Sequence, residues 1–245
     1  PPLLIAVDQE GGIIQRLRDG FTLWPVPMLL TATQDAGLAR AVGMAMGTEL
    51  RAAGVNMNLA PVADLLTNPD NPIIGRRSPG SDPELVGNVL PGFIAGLRAA
   101  GVAATLKHFP GHGDTSEDSH VTLPALDHDL ARLDAVEFAP YIAAMQSGGI
   151  DAIMTGHLWM RAFDAEPRPA SLSPNVVTGL LRERLGYDGL VITDALDMDA
   201  IDTVYTPGEA AIRALLAGND MILIGANIGE TVQAQALQDV VDAVR

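Results

Sequence analysis

Short, nearly continuous apolar runs recur along the chain at residues 3–7, 57–60, 103–106, 152–155, 190–193 and 221–224. Runs of this kind suit strands buried on both faces of a parallel sheet. Between them lie stretches with helical patterning, which predict helices near residues 35–53, 82–100, 135–146, 175–184, 207–217 and 231–244. The punctuation agrees. Asp82-Pro83 offers a cap followed by proline at the first helical position, and Ser173-Pro174 resembles it. Gly101, Gly186 and Gly218 stand where helices should end, a place often taken by a left-handed glycine.

Strand–helix alternation means an α/β fold with a parallel sheet. No linker or low-complexity stretch divides residues 1–245, so one domain is expected. A doubly wound open sheet and a (β/α)8 TIM-type barrel both fit the rhythm; six units can be counted where a closed barrel needs eight. Polar residues favour the barrel. Asp8 follows the first run, Lys107-His108 the third, His157 nearly so the fourth, and Asp194 the fifth. In a barrel all of these share the C-terminal rim, whereas an open sheet gathers such groups only near a switch point.

Composition narrows the partners. The formal net charge is −15, with no cluster of cations, so a nucleic-acid surface is not expected. No apolar run approaches the ~20 residues of a membrane-spanning helix. The absence of cysteine excludes disulfides, thiolate metal sites and a cysteine nucleophile, and leaves the compartment unread. Of fifteen basic residues the only lysine is Lys107. A lone flexible ammonium directly after a buried strand is chemically distinct from the guanidinium used everywhere else.

Four segments carry candidate chemistry. Residues 107–120 hold His108, His112 and His120 with Asp114, Glu117 and Asp118, in a loop kept irregular by Pro110, Gly111 and Gly113. Imidazoles and carboxylates together suit zinc or iron. They equally suit acid/base catalysis, with Asp118 fixing the tautomer of His120. Spacing alone does not choose. Asp194 closes the fifth run, where a carboxylate can act as nucleophile; a capping role is better placed at Asp197 or Asp199. Asp8 precedes Gly11-Gly12, which allow a sharp turn beneath a ligand. Arg76-Arg77 lie in a Pro/Asn/Gly-rich loop, where adjacent arginines usually mean a solvated surface.

VDQEGGIIQR at 7–16, GRRS at 75–78, KHFPGHGDTSEDSH at 107–120 and TDALDM at 193–198, in that order, resemble glycoside hydrolase family 3, in particular its β-N-acetylglucosaminidase branch. Pro167-Arg168-Pro169-Ala170 and residues 218–224 are similar to the family as well. The resemblance implies a (β/α)8 barrel and a retaining mechanism without metal or cofactor. Asp194 would be the nucleophile, and His120, oriented by Asp118, the general acid/base. It also implies that Asp8, Arg16, Arg77, Lys107 and His108 bind the sugar, with His157 and the region near Met198 in second rank and Arg76 left out. The substrate would be a small carbohydrate, a terminal β-linked N-acetylglucosaminide such as a muropeptide or chitin fragment.

Relatives carry strand–helix material ahead of the segment that opens here, so the first two barrel units are expected to be absent and the isolated chain to be poorly stable, with open edges. Three rivals stand beside the hydrolase: a phosphorylase of the same family, a metal-dependent hydrolase or aldolase using the histidine loop, and a non-catalytic sugar-binding barrel.

Overall fold

The computed structural model describes residues 3–225 and 228–244. Its spine is the parallel sheet that the apolar runs predict. The strands in chain order are β1 (Ala6–Val7), β2 (Gln9–Gly11), β3 (Ile14–Gln15), β4 (Met57–Asn58), β5 (Ala103–Phe109), β6 (Ala125–Leu126), β7 (Ala152–Thr155), β8 (Trp159–Met160) and β9 (Leu190–Thr193). The main sheet has the order β1-β4-β5-β7-β9, and every pairing in it is parallel. Met221 bridges Ile192 in parallel beyond β9, which places the 221–224 run at the start of a sixth position. The order follows the chain without reversing. A doubly wound sheet must reverse; this is a single-wound arc of TIM-barrel type.

Adjacent residues of a strand face opposite sides of a sheet, and the packing separates accordingly. Met57, Leu59, Ala152, Met154 and Ile192 form one cluster on the inner face. Leu106, Ile153 and Val191 join the larger core with Leu97, Phe138 and Val177 from the surrounding helices. These helices are α1 (Pro27–Ala32), α2 (Ala36–Ala52), α3 (Pro83–Ala99), α4 (Leu130–Ala135), α5 (Ala139–Gln146), α6 (Asp199–Asp202), α7 (Pro207–Ala217) and α8 (Glu230–Val244), with a π-helical segment at Asn175–Arg184.

The predicted cap at Asp82 is present, accepting from the N–H groups of Glu84 and Leu85, and Asp35 caps α2 in the same way through Gly37 and Leu38. Ser173 accepts from Val176 N–H at 3.2 Å. Gly101, Gly186 and Gly218 all adopt positive φ.

Several boundaries differ from expectation. The helix expected at 135–146 starts only at Ala139, as α5, because Pro140 opens it and disfavours helical geometry just before it, and a separate helix, α4, ends at Ala135. The 57–60 run pairs over Met57–Asn58 and resumes as a single bridge from Val62 to Lys107, since Pro61 has no N–H to donate. The 3–7 run pairs only at Ala6–Val7. The 103–106 run extends to Phe109, so Lys107 and His108 lie inside β5 rather than after it. Asp197 and Asp199 do not cap the next helix: α6 starts after Met198 with no side-chain cap.

Candidate active site

The sheet delivers its polar residues to one rim. Lys107, inside β5, is buried and donates to Asp8 Oδ1 at 2.6 Å, while its Nζ also lies 2.8 Å from Glu10 Oε1. Glu10 takes Arg77 as a fork, Nε to Oε2 at 3.0 Å and Nη2 to Oε1 at 2.8 Å. One buried carboxylate therefore joins both cations. Burial alone would raise the Glu10 pKa, but Lys107 and Arg77 outweigh it and hold the group at about 2. Burial likewise opposes the Lys107 charge; Glu10 and Asp8 overcome it and raise its pKa.

Asp64 anchors His108. It is wholly buried, accepts from the backbone N–H of His108 and His112, and faces His108 Nδ1 at 2.7 Å. Its burial would raise its pKa, yet the neighbouring His108 lowers it. The other ring nitrogen, His108 Nε2, points to the rim, 3.4 Å from Arg77 Nη2 and 3.9 Å from Asp194 Oδ2. The peptide bonds Lys107–His108, Phe109–Pro110 and Ala60–Pro61 are cis.

Asp194 follows β9. Its backbone N–H donates to Thr155 O at 2.8 Å, and its Oδ1 accepts from Ala195 N–H at 2.8 Å. The side chain is 20% exposed, enough to be reached from the rim. Burial pushes its pKa up, but His108, His157, the Ala195 N–H and Lys107 together bring it down to about 2. His157 Nε2 donates to Ala195 O at 2.9 Å and its Nδ1 meets Ser171 Oγ at 2.8 Å. Burial lowers the His157 pKa, which fits a neutral ring with that tautomer.

The histidine loop is less uniform than its sequence. His112 is buried between Thr115 Oγ1 at 2.7 Å and Ser119 Oγ at 3.0 Å. Asp114 is engaged by Thr67 Oγ1 and His128 Nε2, each at 2.6 Å. His120 alone among the loop's histidines is open, 55% exposed, with Nδ1 2.8 Å from Asp118 Oδ1. Asp118 also accepts from His120 N–H; these bonds outweigh burial and lower its pKa. The imidazoles are thus committed to separate partners, and among the described residues no three His, Asp or Glu side chains gather as metal ligands.

The loop and the strand end meet. Ala200 N–H donates to Ser119 O at 3.4 Å, and a charge on His120 opposes protonation of His157, beside Asp194. Asp8, Arg77, Lys107, His108 and Asp194 form one connected cluster through Glu10; among the described residues no hydrogen bond or ion pair joins the His120–Asp118 pair to it. Arg16 stands apart: its N–H donates to Asp8 O at 3.3 Å across the β2–β3 hairpin, but its exposed side chain has no partner among the described residues. Arg77 turns inward and Arg76 outward.

Glu10 and Asp64 are functional positions that sequence reasoning missed. Glu10 had a signal: two residues after Asp8 on an extended segment, it shares that residue's side. Asp64 had none beyond being an acid shortly after an apolar run. The hairpin turn needs its glycines. Gly11 has φ +96°, and a Cβ there would lie 2.4 Å from Pro25 O.

Fold and rim together define a TIM-barrel-type α/β domain with a carboxylate- and cation-lined site at the C-terminal ends of its strands. The chain belongs to the glycosyl hydrolase family 3 N-terminal domain family, whose description matches residues 1–245. β-Hexosaminidase A of Pseudoalteromonas piscicida is 39% identical over 237 residues, covering 91% of this chain and 40% of that protein. A glycoside hydrolase family 3 β-N-acetylglucosaminidase from Paenibacillus sp. str. FPU-7 superposes with a TM-score of 0.95 at 49% identity, covering 99% of this chain and 46% of that one. The β-glucoside phosphorylase BglX superposes at 0.91 with 30% identity, over 99% and 45%. The chain spans less than half the length of each of these three.

Proposed function

We propose that this domain carries the active site of a retaining, exo-acting glycoside hydrolase that releases terminal β-linked N-acetylglucosamine. The observation that carries the reading is Asp194: a carboxylate at a strand end whose burial is outweighed by His108, Lys107 and a backbone N–H, yet open on the rim. The names of its relatives, a β-hexosaminidase and a β-N-acetylglucosaminidase, support the choice of sugar.

In the first step Asp194 Oδ2, the oxygen not taken by Ala195, attacks the anomeric carbon. The glycosidic C–O bond breaks, and His120 Nε2–H gives its proton to the leaving oxygen. In the second step His120 takes a proton from water, whose oxygen displaces Asp194 from the same carbon. Retaining enzymes usually use a second carboxylate in this role; an imidazole can work in both directions near neutrality because its unperturbed pKa is about 6.5. Asp118, on Nδ1, fixes the ring and stabilises its cation. Asp8, Arg77, Lys107 and His108 bind the sugar hydroxyls, with Arg16 available to reach the ligand from the hairpin.

Incubation with a 5-fluoro N-acetylglucosaminyl inactivator followed by peptide mass spectrometry tests the assignment. The label is expected on the peptide containing Asp194, and Asp194→Asn should abolish it. A label elsewhere, or none despite turnover, would refute it. A phosphorylase is the second reading, favoured by the likeness to BglX and by an acid/base imidazole, which tolerates an anionic acceptor better than a glutamate would. Added phosphate giving a glycosyl phosphate product would establish it over hydrolysis.

A further inference from the structure

We propose that Glu10 is a positioning residue of the sugar-binding rim: it fixes the direction in which Lys107 and Arg77 present their donors, and it keeps Arg77 from closing on Asp194. The inference rests on the reading of Asp194 and of the sugar-binding residues given above. Glu10 itself is out of reach of a ligand. Its side chain is 0% exposed, and its two oxygens are taken by Arg77 Nε, Arg77 Nη2 and Lys107 Nζ. Behind it lies a narrow apolar cavity of about 40 Å³, walled by residues that include Trp24, Pro25, Val62 and Phe93, and Glu10 is the one charged residue in the described lining. A carboxylate with an apolar wall at its back can be satisfied only from the rim, so those two cations are its partners.

The donors left over decide what a sugar meets. An ammonium has three N–H groups, of which Asp8 and Glu10 take two; a guanidinium has five, of which the fork takes two. The remaining donors are aimed by the bonds already made, because a fork fixes the plane of a guanidinium and two acceptors fix the rotation of an ammonium. The same bonds restrain Arg77. Its Nη2 is 3.4 Å from His108 Nε2, which is 3.9 Å from Asp194 Oδ2, so an Arg77 released from Glu10 has a second carboxylate next along the rim. Paired there, it would cover the attacking oxygen. The charged groups facing Lys107 are Asp8 after β1, Glu10 in β2, Arg77, and Asp194 beyond β9. Burial works against the ammonium, and Glu10, then Asp8, restores it. Without Glu10 the buried lysine keeps Arg77 as a repelling neighbour and gives up its proton more readily.

Lys107 is the only lysine of the chain, so 13C-labelled lysine gives a single side-chain signal whose pH titration needs no assignment. The full chain is compared with Glu10→Gln, which removes the charge, and Glu10→Asp, which keeps it on a shorter stem. In Glu10→Gln the Lys107 signal should titrate below the ordinary lysine value, because the group stays buried; a merely loosened fold would bring it to that value and no further. On a chromogenic β-N-acetylglucosaminide, kcat/KM should fall about a hundredfold, against an about tenfold weakening of N-acetylglucosamine as competitive inhibitor, since Asp194 is covered as well as the binding donors misaimed. Glu10→Asp should lose about tenfold in kcat/KM while Lys107 still titrates above the ordinary value, the charge being kept and the aim lost. A Lys107 titration at or above the ordinary value in Glu10→Gln, or wild-type kcat/KM in either variant, would overturn the inference. Should Glu10→Gln not fold, Glu10→Asp decides: lost activity with Lys107 above the ordinary value supports the inference, and any other pairing overturns it. If the wild type neither cleaves the glycoside nor binds the sugar, the hydrolase reading fails separately, and Glu10 is judged by the Lys107 titration alone.

Discussion

His112 sits in the loop that carries the acid/base pair, yet it never reaches the rim. Its ring is buried between Thr115 and Ser119, and burial lowers its pKa from 6.5 to about 4 despite the pull of Asp64. The folded protein therefore binds this proton less readily than the unfolded chain. Stability is unaffected above the unfolded pKa near 6.5, falls as pH drops below it, and has lost ~3 kcal/mol from this group once pH passes the folded value. Thermal melts between pH 7 and pH 4 should show that acid loss, and His112→Gln should flatten the slope across this window. An unchanged slope would mean that the ring titrates normally. Because Ser119 adjoins His120, the same protonation should also loosen the acid/base loop. None of this was legible from the sequence. Five histidines are scattered along the chain, and spacing cannot distinguish an imidazole bonded on both nitrogens from one facing solvent. Lys107 was legible because it is the sole ammonium near a strand end, whereas the fork that Glu10 makes with Arg77 joins residues 67 positions apart and leaves no local signal.

Between residue and fold, the helices show what periodicity reads and what it omits. Apolar spacing, with the Asp82 cap of α3 and Gly218 after α7, placed α2, α3 and α7 almost to the residue, since each of those signals is local. How close two helices come is not local. On α2, Gly43 would place a Cβ 2.2 Å from Phe93 O; on α3, Gly92 and Gly96 would meet Ala36 O at 2.3 Å and Arg40 O at 2.2 Å. The contacts are reciprocal and reach backbone, which cannot move aside as a flexible side chain can. Gly96→Ala should therefore cost about 1–3 kcal/mol through overpacking, although alanine is the better helix former. Gly179, in the Asn175–Arg184 segment, has its nearest neighbour at 3.8 Å and no positive φ. Gly179→Ala should stabilise by roughly 0.5–1 kcal/mol. Urea unfolding of both variants checks the pair, and a neutral Gly96→Ala would mean that the two helices can part to admit a methyl group.

At the scale of the whole molecule, the barrel-type winding was legible because charged residues closed several apolar runs, a pattern that one shared rim explains and an open sheet does not. What the arc does at its ends is a separate physical matter. β1 lies at the margin of the sheet with β4 as its neighbour, and the residues leading into it, Leu3, Leu4 and Ile5, are 80%, 52% and 49% exposed. An apolar segment leading into an edge strand is a template for another chain. The net charge of −15 opposes that contact by repulsion, but salt screens repulsion beyond ~8–10 Å while leaving apolar burial intact. The isolated chain should therefore self-associate, more strongly as salt rises, and Leu4→Lys should reduce the association by placing an ammonium on the edge. Sedimentation velocity across concentration and salt reads this directly. A species that stays monomeric in high salt and melts cooperatively would show that the arc is stable with its edge open, and that the apolar approach to β1 is covered by some arrangement other than pairing.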